Sequence, residues 1–293
     1  MKKDITELFA FVDDFYNAAK EYLNKALISD GAKQKKQTRV TEMTESEVIT
    51  IVLLYHQSPC KNFKYYYKSY VQLYNSEFPK LVSYERFVQL KPRILQYLAI
   101  LMDWLIHQAR STGVSFIDAT AIKVCHNKRI SRNKVFKGLA KIGKSTMGWF
   151  YGFKLHLVIN DYGQIQSVKL TPGNVDDRAP VPSMTKHLVG LLFGDKGYIK
   201  ADLFTELHER GLKLVTPIKK KMDNKLMPLL EKALLRKRSI IETVFDYLKN
   251  KFDIEHTRHR SIWNFLVHIF STLIVYSLKP TKPSIRRAFE LPA

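Results

Sequence analysis

The sequence predicts a mixed α/β sheet with flanking helices, preceded by an all-helical amino-terminal domain. Three observations carry this reading. Apolar residues recur every three or four positions through the first part of the chain, the period of amphipathic helices. Beyond residue 110, apolar runs follow the order strand, hairpin, helix, strand, helix, strand, helix, a pattern of helices packed on a mixed sheet. Two of the strand-like runs lead directly into an aspartate, Asp118 and Asp195.

In the amino-terminal part, Ile5, Leu8, Phe9, Val12, Tyr16, Ala19 and Leu23 line one helix face that ends near Gly31. A basic linker, Lys33 to Arg39, follows. Thr44 and Glu47 form a capping box in front of the apolar run Val48 to Tyr55. Phe63, Tyr67, Tyr70, Val71 and Tyr74 again share a helix face, and that spacing favours a buried stripe over a base-stacking surface. Ser83 opens a last helical stretch to Gln108 that Pro92 bends or splits. The domains expected are a helical, DNA-end-binding unit over 1–110, an α/β unit over 111–280 with a basic insert at 121–150, and a tail at 281–293.

Charge narrows the partners. The 293 residues carry a formal net charge of +21, an excess that points to a polyanion, nucleic acid first. Two cysteines, Cys60 and Cys125, without metal-ligand spacing suggest neither a disulfide framework nor a zinc site. The start of the chain lacks the apolar core of a signal peptide, so a cytoplasmic protein is expected. Ser261 to Leu278 is uncharged and nearly long enough to span a bilayer, but Asn264, His268, Ser271 and Thr272 favour a helix buried in the protein and no membrane association.

Val114 to Thr120 reads as a short buried strand ending in Asp118. A carboxylate at the end of a core strand is costly without a cation beside it. The segment after it, Ala121 to Gly148, shows almost no apolar periodicity. It contains Lys123, Lys128, Arg129, Arg132, Lys134, Lys137, Lys141 and Lys144 and no acid, which fits a solvated loop or a nucleic-acid contact; Trp149 and Phe150 close it. Phe153, Leu155, Leu157 and Ile159 alternate with Lys154, His156 and Asn160 as a strand, placing His156 on the polar side. Asn160 to Gly163 is a turn, and Ile165 to Leu170 is the returning arm. Asp176 to Leu188 reads as a short helix, Leu191 to Asp195 as a strand, Ala201 to Arg210 as a helix and Leu212 to Thr216 as a strand. A basic loop with Lys219, Lys220, Lys221 and Lys225 leads to one helix over Leu229 to Lys251.

Strand ends of a sheet meet at one crevice, so Asp118 and Asp195 are expected there together. Glu242 is the third acid, with Asp246 as its rival one turn on. On an ideal helix Arg238, Glu242 and Lys249 fall within about 40° of one another. Carboxylates without Cys or His suit Mg²⁺ or Mn²⁺, and two such ions would support in-line phosphoryl transfer.

Arg238-x₃-Glu242-x₆-Lys249, Phe116-Ile-Asp118-Ala-Thr and Phe193-Gly-Asp195-Lys-Gly-Tyr198 together resemble the three acidic motifs of the DDE-type insertion-sequence transposases. With the Lys141 to His156 stretch they are similar to the 982 family of insertion sequences. The resemblance covers Ser115 to Pro280 and the helical part only loosely. It implies an RNase H-like (retroviral-integrase-like) core with Asp118, Asp195 and Glu242 as metal ligands. It also implies a transposase that cuts element ends and joins them to target DNA, working as a homodimer on double-stranded DNA. Arg238, Lys249, Lys123, Arg129, Arg132, Lys141, Lys144, Trp149 and Lys220 are the expected DNA contacts. The family's Tyr three residues before the Arg is Leu235 here, so its contact has no counterpart. A nuclease or resolvase without strand transfer, and a DNA-binding protein without chemistry, are the alternatives.

Overall fold

The computed structural model describes residues 5–29, 42–218, 227–256 and 258–285. The linker at Lys33–Arg39, the loop containing Lys219, Lys220, Lys221 and Lys225, and the tail from residue 286 lie outside the described residues. The chain divides into two compact units: one runs to Leu105 and includes Arg260–Leu278, the other holds Ile106–His259 and the residues from Lys279.

The first unit is helical. It contains α1 (Ile5–Ser29), α2 (Glu45–Gln57), α3 (Phe63–Tyr65), α4 (Tyr84–Leu90) and most of α5 (Leu95–His107). The capping box forms as its residues dictate: Thr44 Oγ1 accepts from the Glu47 N–H and the Glu47 carboxylate accepts from the Thr44 N–H. The aromatic stripe is core. Tyr67 and Val71 are buried, and a π turn over Tyr66–Tyr70 also rotates Tyr66 inward, where its hydroxyl donates to Ile51 O. Pro92 sits in a 3₁₀ turn, Lys91–Ile94, that separates α4 from α5.

The uncharged helix Ile262–Ser277 belongs to this unit, not to the α/β unit where the sequence reading put residues 261–280. An apolar surface on every side demands a core, and its polar groups must then be paired. The Ser271 and Thr272 hydroxyls donate to His268 O, and Ser271 Oγ lies 2.8 Å from His56 Nε2. No described helix is long and apolar enough to cross a membrane.

The second unit is built on a six-stranded sheet: β1 (Val114–Cys125), β2 (Lys141–Ser145), β3 (Gly148–Asn160), β4 (Ile165–Pro172), β5 (Gly190–Phe193) and β6 (Leu212–Val215). Its order is β2-β3-β1-β5-β6, with β4 also paired to β3; β3 is antiparallel to β1, β2 and β4, and β5 and β6 run parallel to β1. This is the RNase H-like arrangement. Among the described residues the later helices are α6 (Val181–Met184), α7 (Ala201–Glu209), α8 (Leu229–Arg236), α9 (Ser239–Asp246) and α10, the Ile262–Ser277 helix already described. On one face of the sheet Ile117, Val158, Leu192 and Leu214 pack with Val181, Met184, Leu203 and Leu207.

Several expectations are corrected. The helix expected over Asp176 to Leu188 shrinks to α6, one turn entered through Pro180. The single helix expected from Leu229 to Lys251 is three pieces: α8, α9 and a π turn at Tyr247–Lys251. The basic insert is ordered. β1 continues to Cys125, a 3₁₀ turn covers Asn127–Arg132, and β2 pairs with β3 over Lys141–Ser145. Its buried apolar residues are Ile122, Val124, Cys125, Phe136, Ala140 and Phe150, with only Phe136 and Ala140 between the two ends, too sparse to register as periodicity. β2 and β4 occupy successive halves of the same β3 edge and meet at Gly143 and Gly173, where a Cβ on Gly143 would stand 2.1 Å from Gly173 O.

Candidate active site

Asp118 lies within β1 rather than at its end, and the sheet explains why the crevice is still there. The last parallel pair between β1 and β5 is Phe116 with Phe193. Beyond it β1 continues with β3 alone, Asp118 opposite Leu157. Asp118 and Asp195 are each two residues past that last pair, so they emerge where the two parallel strands part. Asp118 Oδ1 accepts from its neighbour's N–H, Ala119, at 2.8 Å. Asp195 caps the turn Lys196–Tyr198, its Oδ1 accepting from Gly197 N–H at 2.7 Å.

The third acid arrives on α9. Ile240, Ile241, Val244 and Phe245 are buried, which leaves Glu242 on the opposite face, 57% exposed. Arg238 stands at the N-cap of this helix and bridges two of the acids. Its Nη2 donates to Glu242 Oε1 at 2.8 Å and its Nη1 lies 3.4 Å from Asp118 Oδ2. Asp246 is exposed and accepts from Asn250.

The charges feel one another. Burial raises the Asp118 carboxyl to about 6; the Ala119 N–H and Arg238 oppose this, while Asp195 and Glu242 add to it. The Tyr198 hydroxyl is buried, has no hydrogen-bond partner among the described residues, and is held well above the usual phenol range by burial first and by Asp118, Asp177 and Asp195 next.

A model of the transposase DDE domain family matches residues 108–262, more than half of the chain. The chain belongs to the DDE transposase family. No curated protein matches it. Among solved structures, the Mos1 transposase paired-end complex with left transposon end is similar at 9% identity and a TM-score of 0.24. That likeness covers 84% of this chain and 81% of the other.

The DDE transposase match runs from the end of α5 into α10 and contains Asp118, Asp195, Arg238, Glu242 and Lys249. The donor types suit hard divalent cations, three carboxylates from three elements and no thiolate, but their oxygens do not all lie within 4.8 Å of one another. Half-buried Asp118 has its proton affinity raised by burial first and then by Asp195 and Glu242.

Of the expected DNA contacts, Lys123, Arg129, Arg132, Lys141, Lys144 and Trp149 are all exposed. Lys220 lies outside the described residues. Lys249 is displaced from the face that ideal helical geometry gives it. The π turn changes the phase after Asp246, and Lys249 pairs with Glu255 at 3.1 Å.

The alternation in β3 misled on one residue. His156 is buried, not on a solvated face, with Nε2 2.8 Å from Thr171 Oγ1. Both faces of β3 are covered, so a polar residue there has to find a partner. Lys154 beside it donates to Val175 O and Asp177 Oδ1, both at 2.9 Å, and so holds the loop after β4 against the sheet. Nothing local in the sequence marks that pairing.

Proposed function

We propose that this chain is a DNA transposase that cleaves the ends of its own insertion sequence and joins the 3′-OH ends to target DNA. The observation that carries the reading is the crevice where Asp118 and Asp195 emerge from parting strands and Arg238 ties Glu242 to Asp118. Asp118, Asp195 and Glu242 would hold two Mg²⁺ or Mn²⁺ ions. When bound, such a pair activates the attacking water or 3′-hydroxyl and stabilises the leaving oxygen.

The remaining work falls to this chain's own side chains. Arg238, on exchanging its carboxylates for the scissile phosphate, presents a planar fork to two phosphate oxygens. Lys249 holds the backbone further along once it leaves Glu255. The exposed Lys123, Arg129, Arg132, Lys141 and Lys144 follow the flanking duplex, and the helical unit at 1–110 engages the element end. The partners are the element's terminal repeats, target DNA and a second copy of the chain, in the cytoplasm.

Incubating the purified chain with labelled element-end duplex and Mg²⁺ tests this reading. Metal-dependent nicking followed by joined products supports it. Nicking without joining makes the chain a nuclease or resolvase, and binding without nicking makes it a DNA-binding protein.

A further inference from the structure

The fold of the α/β unit buries one hydroxyl that it does not pair. Tyr198 is 2% exposed, and its Oη has no hydrogen-bond partner among the described residues. A buried hydroxyl in that state costs stability, whereas a phenylalanine would fill the same space without the cost.

The position of the ring is set by the two strands that lead to Asp118 and Asp195. A Cβ on Gly194 would stand 3.0 Å from Tyr198 Cδ2 and 3.4 Å from Ile117 Cγ2. The ring therefore lies on the residue before Asp195, close to the residue before Asp118. The last parallel pair, Phe116 with Phe193, ends just short of this point. On the other side the ring belongs to the apolar layer of Ile117, Leu192 and Leu203. Its backbone N–H donates to Asp195 O at 3.3 Å and closes the turn that Asp195 caps. Backbone and ring are thus both held, and the hydroxyl has a fixed place.

That place suits a donor to a carboxylate. Burial first, then Asp118, Asp177 and Asp195, keep the phenol protonated, with Arg238 opposing. A phenol that stays protonated is available as a donor throughout the neutral range, and ionised carboxylates can only accept. Asp177 is already paired with Lys154, and Asp195 accepts from Gly197 N–H. Asp118 acts on the hydroxyl most strongly of the three and has the looser hold, 3.4 Å to Arg238 against 2.8 Å for Glu242. The oxygens of Asp118, Asp195 and Glu242 do not all lie within 4.8 Å of one another, so holding a shared cation requires carboxylates to turn.

We propose that Tyr198 is a positioning residue whose hydroxyl donates to Asp118 once that carboxylate turns from Arg238 toward a divalent cation. The bond fixes the orientation in which Asp118 serves as a ligand, and partners of this kind set metal affinity. Stability of the metal-free fold is given up for that affinity. The inference rests on the reading that Asp118, Asp195 and Glu242 hold divalent cations.

The test uses the full chain at neutral pH without DNA. Mn²⁺ binding is measured by titration calorimetry, and unfolding without metal by scanning calorimetry. Tyr198→Phe should bind Mn²⁺ about tenfold more weakly than wild type. The same variant should melt about 2–4 °C higher without metal, because the unpaired hydroxyl is gone. A hydroxyl with a merely structural role would not move the two readouts in opposite directions. Asp118→Ala lowers affinity by itself, and adding Tyr198→Phe to it should change nothing further, since the two act as one unit.

Wild-type Mn²⁺ affinity in Tyr198→Phe would overturn the proposal. A melting temperature below wild type would overturn it as well, by showing that the hydroxyl supports the fold. A tenfold loss that persists beside Asp118→Ala would place its action on another group, with the same consequence. A wild-type chain that binds no Mn²⁺ removes the metal reading beneath the inference, and the inference with it.

Discussion

Arg238 and Asp118 stand 120 positions apart in the chain, yet a guanidinium nitrogen of one lies 3.4 Å from a carboxylate oxygen of the other. The same guanidinium donates to Glu242 one helical turn away, at 2.8 Å. The pair with Glu242 alone would be an ordinary i,i+4 contact on a solvated helix, which contributes little. The reach across to β1 sets Arg238 apart: it couples the third acid to the first and puts a planar cation where phosphate oxygens would arrive.

Arg238→Lys is therefore expected to keep the charge and lose the fork. Loss of one charge-assisted hydrogen bond, worth about 1.5 kcal/mol, should slow single-turnover cleavage roughly tenfold. End-binding affinity should change by less than about twofold, since most of it comes from other cations. A wild-type cleavage rate would sink the phosphate grip.

Asp118→Asn, Asp195→Ala and Glu242→Ala should each cost several kcal/mol of transition-state stabilisation, about a thousandfold in cleavage and joining, with end binding retained. Asp246→Ala should cleave normally, because Asp246 turns to Asn250. An inactive Asp246→Ala beside an active Glu242→Ala would move the third ligand along the helix.

Lys249 tests how far its ion pair restrains it. Lys249→Ala should weaken end binding severalfold if the side chain leaves Glu255 for DNA, and Glu255→Gln should then strengthen it by freeing the ammonium. Titrations of both variants that match wild type would confine Lys249 to the ion pair.

The basic insert should be visible in the salt dependence. Neutralising Lys128, Arg129, Arg132 and Lys144 together should reduce the slope of log affinity against log salt by up to ~3.6, at ~0.9 per phosphate contact. A slope equal to wild type would leave these cations merely solvated.

His156 predicts how stability varies with pH. Burial first, then Lys154 and Lys169, lower its pKa from 6.5 to about 4, with Asp177 opposing. Between those values the unfolded chain binds a proton that the folded chain refuses, so stability rises with pH across the window and falls as pH drops through it. The loss between pH 7 and 4.5 should be on the order of 2–3 kcal/mol, and His156→Gln should remove that share of the slope. Urea unfolding of both proteins at the two pH values measures it; parallel losses would place the pH sensitivity elsewhere.

The local sequence determined a good deal by itself. The Thr44–Glu47 capping box, the strands of period two, and the order of elements that runs two strands toward Asp118 and Asp195 follow from patterns spanning a few residues, because caps, pleats and turns are short-range physics. The three motifs in order were enough to suggest the family that the match over residues 108–262 establishes. Only the tertiary structure decided the rest. His156 turned inward because both faces of β3 are covered, and Ile262–Ser277 joined the helical unit because an uncharged helix needs a core on every side. Lys249 left the Arg238 face because a π turn changed the helical phase, which a fixed angle per residue cannot foresee. The bridge from Arg238 to Asp118 depends on where α9 lies against β1, a relation between surfaces that no window along the chain contains.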